Sequence, residues 1–373
     1  MPDIMRIGFD AKRAVSNFTG LGNYSRFVIS NLMEYYPNNI YKLFIPKLHD
    51  ESKINDTHQD ETVYSLKHTH KPFWRTMGIV KDIKREHIDI YHGLSNELPF
   101  RINRTGVKSI VTIHDLIFLR YPEFYSLVDR TIYNVKAKYA CKVADKVIAV
   151  SECTKRDIIK FYGIEPSKIE VVYQGCFPVF REQADNMKKE EVKTKYNLPS
   201  EFLLSIGSIE ERKNILLIVK ALKEVPDIHF IAIGKQKEYA QTVLNYAAEH
   251  GLSDRVHLIS NVPLTDLPAI LQSARIFIYP SLYEGFGIPI IEAQSSGVPV
   301  IGATGSCLEE SGGPHSVYVD PCNENELAYQ IKRLLNDEDA CKQMVTDGLE
   351  YVKRFSDKDC TSALMKVYEM LHP

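Results

Sequence analysis

Short β-branched, apolar runs alternate with longer amphipathic stretches along almost the whole chain, and this alternation limits its folds more than any other feature. A run that is apolar at nearly every position needs both faces covered. A helix-length segment before the next run is what a parallel crossover requires. In the first half the pattern predicts strands over Arg6–Phe9, Tyr41–Ile45, Ile88–Tyr91, Ser109–Ile113, Lys146–Val150 and Ile169–Val172. Helices fit between them, for example over Asn23–Tyr36 and Asp129–Lys142, and Ser151 reads as the N-cap of a helix reaching about Tyr162.

A second series begins at Phe202–Ile206 and continues through His229–Ile233, Val256–Leu258, Ile276–Tyr279, Val300–Ile301 and Val317–Val319. Between the series, Phe177–Pro199 is polar and lysine-rich and reads as a linker, which puts the boundary near residue 178. After about Glu324 the chain reads as helix to its end, with Ser356 as a cap. At 373 residues the chain exceeds what one hydrophobic core usually serves. The expectation is an α/β protein of two doubly wound sheets facing each other across a cleft, divided as 1–178, 179–355 and a last helix over 356–373. Ligands of such sheets bind beyond the carboxyl ends of the strands.

Lysine plus arginine number 46 against 48 aspartates and glutamates, a net charge of −2 that argues against bulk attraction to nucleic acid. No run approaches the roughly 18 apolar residues of a membrane span, and the first residues do not read as a signal peptide. Seven cysteines are scattered without a Cys-x-x-Cys pair, which disfavours a disulfide scaffold or a zinc site. A cytoplasmic protein is expected.

The segment Tyr279-Pro-Ser-Leu-Tyr-Glu-Gly-Phe-Gly-Ile-Pro-Ile-Ile-Glu-Ala-Gln-Ser-Ser-Gly-Val-Pro-Val300 carries the most chemistry. It reads as strand end, glycine turn, helix and next strand. Pro289 suits a first helical turn, where its missing N–H costs nothing. Free amides at a helix start bind phosphate or oriented hydroxyls, and Gly285 and Gly287 would let a ligand approach the backbone closely. Glu284 and Glu292 flank the turn, and a carboxylate accepts two hydrogen bonds at once, which suits vicinal hydroxyls. Taken singly, each reads equally well as a loop or helix-start charge.

Glu284-Gly-Phe-Gly-x-Pro-x-x-Glu292-Ala resembles the glutamate-x7-glutamate signature of the retaining glycosyltransferase family 4. The resemblance implies the GT-B fold: two Rossmann-like domains, the first binding acceptor and the second binding nucleotide sugar, with a C-terminal helix crossing back to the first. It implies that Glu284 contacts hydroxyls of the transferred sugar and Glu292 the ribose. The amides of Gly285, Phe286 and Gly287 would hold sugar and phosphate. Ser205-Ile-Gly-Ser-Ile-Glu-Glu-Arg-Lys-Asn214 is similar to the family segment whose basic pair, here Arg212 and Lys213, faces the donor diphosphate. Two cations at a strand's carboxyl end can neutralise charge on a departing phosphate, although Glu-Glu-Arg-Lys is also an ordinary solvated turn.

In the first half, Phe18-Thr-Gly-Leu-Gly-Asn-Tyr-Ser25 resembles the family's glycine loop, with Gly20 and Gly22 opening the backbone to the diphosphate; a plain turn reads equally well. His114-Asp115 resembles the family's histidine beside the transferred sugar, with Asp115 orienting His114 or capping the next turn. Asp357 stands where relatives often carry a tryptophan on the crossing helix.

The implied reaction moves a hexose, mannose or glucose in type, from a GDP or UDP sugar to a glycan or lipid-linked acceptor in surface polysaccharide or lipopolysaccharide synthesis. No metal and no cofactor are expected, because no Asp-x-Asp motif with neighbouring ligands stands out. The rival readings are a nucleotide-sugar epimerase of the same fold, a glycoside hydrolase using Glu284 and Glu292 as acid and base, and a non-catalytic sugar-binding module. Residues 67–108 hold nine Lys and Arg against four Asp and Glu, with Phe73 and Trp74 among them. That composition suits peripheral contact with an anionic membrane, and equally a solvated face around a buried tryptophan.

Overall fold

The computed structural model describes residues 4–17, 20–45, 63–67 and 74–372, the strand at 63–67 by its backbone. The chain divides into two compact units: residues 1–174 together with 356–373, and residues 175–355.

The first unit is built on seven strands: β1 (Arg6–Asp10), β2 (Ile40–Ile45), β3 (Val63–Lys67), β4 (Ile90–Gly93), β5 (Lys108–Ile113), β6 (Lys146–Ala149) and β7 (Ile169–Val171). Their order is β3-β2-β1-β4-β5-β6-β7, and every pairing is parallel. The second unit carries β8 (Phe202–Ile206), β9 (His229–Ile233), β10 (Val256–Ile259), β11 (Ile276–Tyr279), β12 (Val300–Ala303) and β13 (Val317–Val319), ordered β10-β9-β8-β11-β12-β13 and again parallel. Both orders reverse direction beside their first strand, which defines a switch point where ligands of such sheets bind.

The strands are apolar at consecutive positions because helices cover both faces of each sheet. Ile7, Phe9, Ile110, Val111, Ile113, Val147 and Ile148 are fully buried in the first unit, as are Leu203, Leu204, Phe230, Ile231, Phe277 and Ile278 in the second. Local caps set helix starts where the sequence puts them: the Ser151 hydroxyl accepts from the Thr154 amide, and the Ser356 hydroxyl from the Asp359 amide. The last helix, Asp357–Glu369, packs on the helix Gly20–Tyr35 within the first unit.

One expectation needs correction. The stretch 177–199 is not a linker. It forms a 3-10 turn over Pro178–Arg181 and a helix over Asn186–Lys195, both in the second unit, with Phe180 and Val192 buried. Its apolar stripe is too narrow to register as amphipathic, and its lysines have a partner: Lys188 and Lys195 reach Asp266 at 2.8 and 2.7 Å. In the basic segment 67–108 the alternative of a buried tryptophan holds and part of the charge is paired, while Lys81, Lys84, Arg101 and Arg104 are exposed. Trp74 is 7% exposed and donates its indole N–H to Asp82 at 2.8 Å. Arg75 pairs with Asp10 (2.6 Å) and Glu97, Arg85 with Asp82 (3.0 Å), and Lys108 with Asp145 (3.7 Å). Lys71 and Phe73, like Phe18 and Thr19 of the glycine loop, lie outside the described residues.

Candidate active site

In the second unit, β8 ends at Ile206 and a 3-10 turn over Glu211–Lys213 follows. Asn214 closes that turn with φ +56°, a left-handed conformation that asparagine tolerates. Its side-chain amide donates to the carbonyls of Pro280 (3.2 Å) and Pro321 (2.8 Å). The Arg212 carbonyl accepts from the Leu282 amide at 2.9 Å. The basic turn and the glycine turn after β11 are thereby stitched together.

On that frame three of the expected residues converge. Lys213 Nζ donates to Glu284 Oε1 at 2.5 Å, and Arg212 reaches the same oxygen at 2.8 Å. The Tyr279 hydroxyl donates to it as well, at 3.2 Å. Arg212 also donates to the Tyr283 carbonyl (2.7 Å) and to Glu210 (2.9 Å), which in turn pairs with Lys237. Burial alone would push the Glu284 carboxyl up, but Lys213 and Arg212 outweigh it and hold the group down at about 2. Burial pulls the Lys213 ammonium below its ordinary value despite Glu284. For Arg212, burial acts downward and is overcome by Glu284, so the guanidinium stays charged. The cluster holds three cations against two carboxylates, a net positive site in a chain of negative net charge.

Gly287 is the N-cap of the helix Ile288–Ser295, with Pro289 in the first turn. Its φ is +108°, and a Cβ there would come within 2.6 Å of the Ser311 hydroxyl, so both backbone and space demand glycine. Glu292 sits in the second turn of the same helix, largely buried, and its side chain makes no hydrogen bond or ion pair among the described residues. Burial without a compensating cation pushes its carboxyl up to about 7.

The first unit holds the remaining expected residues. His114 follows β5 and is buried. Its Nε2 donates to the Leu94 carbonyl at 2.9 Å, so a neutral ring presents Nδ1 as an acceptor. Burial lowers this imidazole to about 4. Asn96, at φ +58°, accepts the His114 amide on its side chain at 2.9 Å. Asp115 caps the next turn by accepting the Ile117 amide at 3.1 Å. Gly20 opens the helix Gly20–Tyr35 with open space around it. Gly22 differs: a Cβ there would fall 1.8 Å from the Asn17 carbonyl, so it serves a close approach of the chain to itself.

Next to His114 lies a hydrogen-bonded chain that sequence reading missed. Tyr24 stacks edge-on against the His114 ring, with centroids 4.6 Å apart, and its hydroxyl meets Thr112 at 3.0 Å. Thr112 meets His92 Nε2 at 2.8 Å, and His92 Nδ1 meets the Tyr368 hydroxyl of the last helix at 2.7 Å. Burial holds His92 down at about 3, so this chain too is neutral. The one available signal was a histidine inside an apolar strand, which by itself is ordinary.

The family described as "Glycosyl transferases group 1" matches residues 186–350, and "Glycosyltransferase Family 4" matches residues 43–176. O-antigen chain mannosyltransferase B of Escherichia coli is 27% identical over 98% of this chain and 100% of its own length. The serotype-specific mannosyltransferase WbdA of Escherichia coli is 29% identical over 72% of this chain, which spans only 34% of WbdA. Among solved structures, Anabaena HepE in complex with UDP-glucose aligns with a TM-score of 0.75 and 16% identity, over 98% of this chain and 100% of HepE. With two matched families meeting at the boundary between the two units, and a likeness of fold over the full length, the chain is a GT-B glycosyltransferase of family 4.

Proposed function

We propose that this glycosyltransferase moves a hexose, of mannose type, from a nucleoside diphosphate sugar to a glycan or lipid-linked acceptor in surface polysaccharide synthesis, retaining the anomeric configuration and using neither metal nor cofactor. The observation that carries the reading is the convergence of Arg212 and Lys213 on Glu284 at the mouth of the glycine turn. Such a site can receive a diphosphate on its cations and sugar hydroxyls on its carboxylate without further charging.

In this reading the sugar C1–phosphate bond breaks while the acceptor oxygen bonds to C1 on the same face. The departing diphosphate takes the acceptor's proton, and Arg212 and Lys213 stabilise the charge it gains. Glu292, the unpaired buried carboxyl, accepts from the ribose hydroxyls, and the amides of Gly285, Phe286 and Gly287 hold phosphate and sugar. His114 offers a neutral acceptor to a sugar hydroxyl. Mannose as the sugar rests on the mannosyltransferase relatives, and the nucleotide donor on the UDP-glucose bound to HepE.

Glu284, held ionised by two cations, is poorly suited to the general-acid role a glycoside hydrolase needs. A thermal-shift screen of GDP and UDP sugars, followed by product mapping with excess EDTA, tests the proposal. Transfer with retained configuration in EDTA is the expected result. Strict dependence on added manganese, or hydrolysis of a nitrophenyl glycoside without nucleotide, would overturn it.

A further inference from the structure

The helix Leu127–Val143 of the first unit joins β5 to β6, two parallel strands, so its first turns lie at the carboxyl ends of the strands, the end where His114 stands. Its inward face changes character along its length. At 100° per residue Arg130, Asn134, Ala137 and Cys141 fall within about 60° of one another. Ala137 and Cys141 are small and fully buried, and they bring the second half of the helix close to the sheet. In the first half the same face carries Arg130 and Asn134, both half-buried. Neither side chain makes a hydrogen bond or ion pair among the described residues. They line a cavity of about 240 Å³ together with Thr131 and with Phe118, Leu119 and Pro122, which come from the short helix Ile117–Arg120 and the 3-10 turn Pro122–Phe124. Phe118 is buried and its ring is fixed by Tyr125 and Tyr133, with centroids 6.3 and 6.0 Å away. The Thr131 hydroxyl donates to the Leu127 carbonyl at 2.7 Å and can still accept. Half-burying a guanidinium and a carboxamide without partners costs free energy that a bound polar ligand removes.

We infer that this cavity is a subsite for one sugar residue of the acceptor glycan, set back from the residue that receives the transferred hexose. This rests on the proposed reading that the acceptor is a glycan. The two kinds of wall select the occupant. A sugar ring has an apolar C–H face and a rim of hydroxyls. Phe118, Leu119 and Pro122 suit the first, and the donors of Arg130 and Asn134 with the Thr131 oxygen suit the second. An anionic group would meet one cation and an apolar wall, which leaves half of the lining unused. The volume is below the roughly 300–1,000 Å³ of sites that enclose drug-sized ligands, which fits a single ring. Phe118 is four residues from His114, so their Cα atoms are at most about 14 Å apart, a reach of a few sugar residues along a chain. Binding energy gained here holds the end of the chain near His114, and it speeds turnover of long acceptors more than of single sugars.

The test uses the full chain with methyl mannoside and manno-oligosaccharides of increasing length. Saturation-transfer NMR without nucleotide reads binding, and transfer assays read kcat and KM. The variants are Arg130→Ala with Asn134→Ala, and Asn134→Leu, which removes hydrogen bonding at similar volume; circular dichroism reports that each is folded. In the wild type kcat/KM should rise with acceptor length, and the double variant should lower the ratio of long to short acceptor by about tenfold. Asn134→Leu should lower it less. Oligosaccharide binding should weaken in both. A wild type whose binding and kcat/KM ignore acceptor length, or variants that keep the length dependence, overturn the inference. Phosphate binding that the double variant loses while oligosaccharide binding stays intact overturns it too, since the cavity would then take an anion. Binding needs no turnover. Oligosaccharide binding that the double variant loses, in a protein that transfers to no glycan, would sink the proposed reaction and leave the subsite standing; transfer without length dependence does the reverse.

Discussion

The two units use one architecture, a parallel sheet with a switch point, to build opposite electrostatic environments. In the second, Arg212, Lys213 and Glu284 lie together largely out of solvent, Glu284 favouring the charge on both cations and both favouring its own. In the first, His114 and His92 are buried as neutral rings held by a carbonyl, a threonine and a tyrosine. Burial penalises charge in both. The second unit offsets the penalty with counter-charges, and the first by giving up the charge. A pre-charged site suits a diphosphate that gains charge as it leaves, and a neutral polar site suits an acceptor that brings hydroxyls.

The largest test of this contrast is the double variant Arg212→Ala, Lys213→Ala. Turnover should fall by at least about a hundredfold, the scale seen when preorganised donors are removed. Near-normal kcat in a folded double variant would erase the distinction between the units.

Glu292 sharpens the contrast, because it is the second unit's one carboxyl here treated as the first unit treats its histidines. Its value of about 7 lies above that of an unfolded glutamate, so the folded state favours the protonated form. That contribution is complete below about pH 4.5 and is lost as pH rises through about 7. Glu292→Gln should therefore stabilise the protein by about 2–3 kcal/mol at pH 8 and hardly at pH 4.5, read as denaturation midpoints. Glu292→Ala should weaken nucleoside diphosphate binding by roughly 1.5–3 kcal/mol in calorimetry. Wild-type affinity should rise between pH 6 and 8 as the carboxylate forms, and that rise should vanish in Glu292→Gln.

The first unit should betray itself in acid. His114 and His92 sit at about 4 and about 3, below an unfolded histidine. Their contribution is present above about pH 6.5 and is lost as pH falls toward those values, about 2 kcal/mol each by pH 5. His92→Gln should flatten this limb of the stability curve; an unchanged limb would mean that His92 is not buried neutral.

The smallest effect belongs to the hydrogen-bonded chain. Tyr368→Phe removes one hydroxyl from His92 and should cost about 1 kcal/mol of stability. If the chain also orients Tyr24 against His114, kcat should fall while donor KM holds. A change in midpoint alone would make Tyr368 a packing residue only.

Much of the fold was legible because its signals are local. Consecutive apolar residues mark parallel strands, Ser151 and Ser356 cap the helices they precede, and Gly287 followed by Pro289 marks a helix start. Where local signals are weak, reading failed. The helix Asn186–Lys195 looks like a linker because its stabilising partner, Asp266, lies some 70 residues away. Trp74 in a basic run reads equally as a surface or a buried aromatic until Asp82 and the core around it are in place.

The same division holds at the site. The amino-acid sequence by itself determined which groups are available: two glutamates about a glycine turn, a basic pair after a strand, a histidine after another. Only the tertiary structure decided their charge states. Lys213 and Glu284 meet across 71 residues, and His92 and Tyr368 across 276. Whether a buried carboxyl sits at about 2, like Glu284, or about 7, like Glu292, depends on whether folding brings a cation within reach. The seven positions between these glutamates carry no trace of that difference, because desolvation and Coulomb attraction act through space and not along the chain.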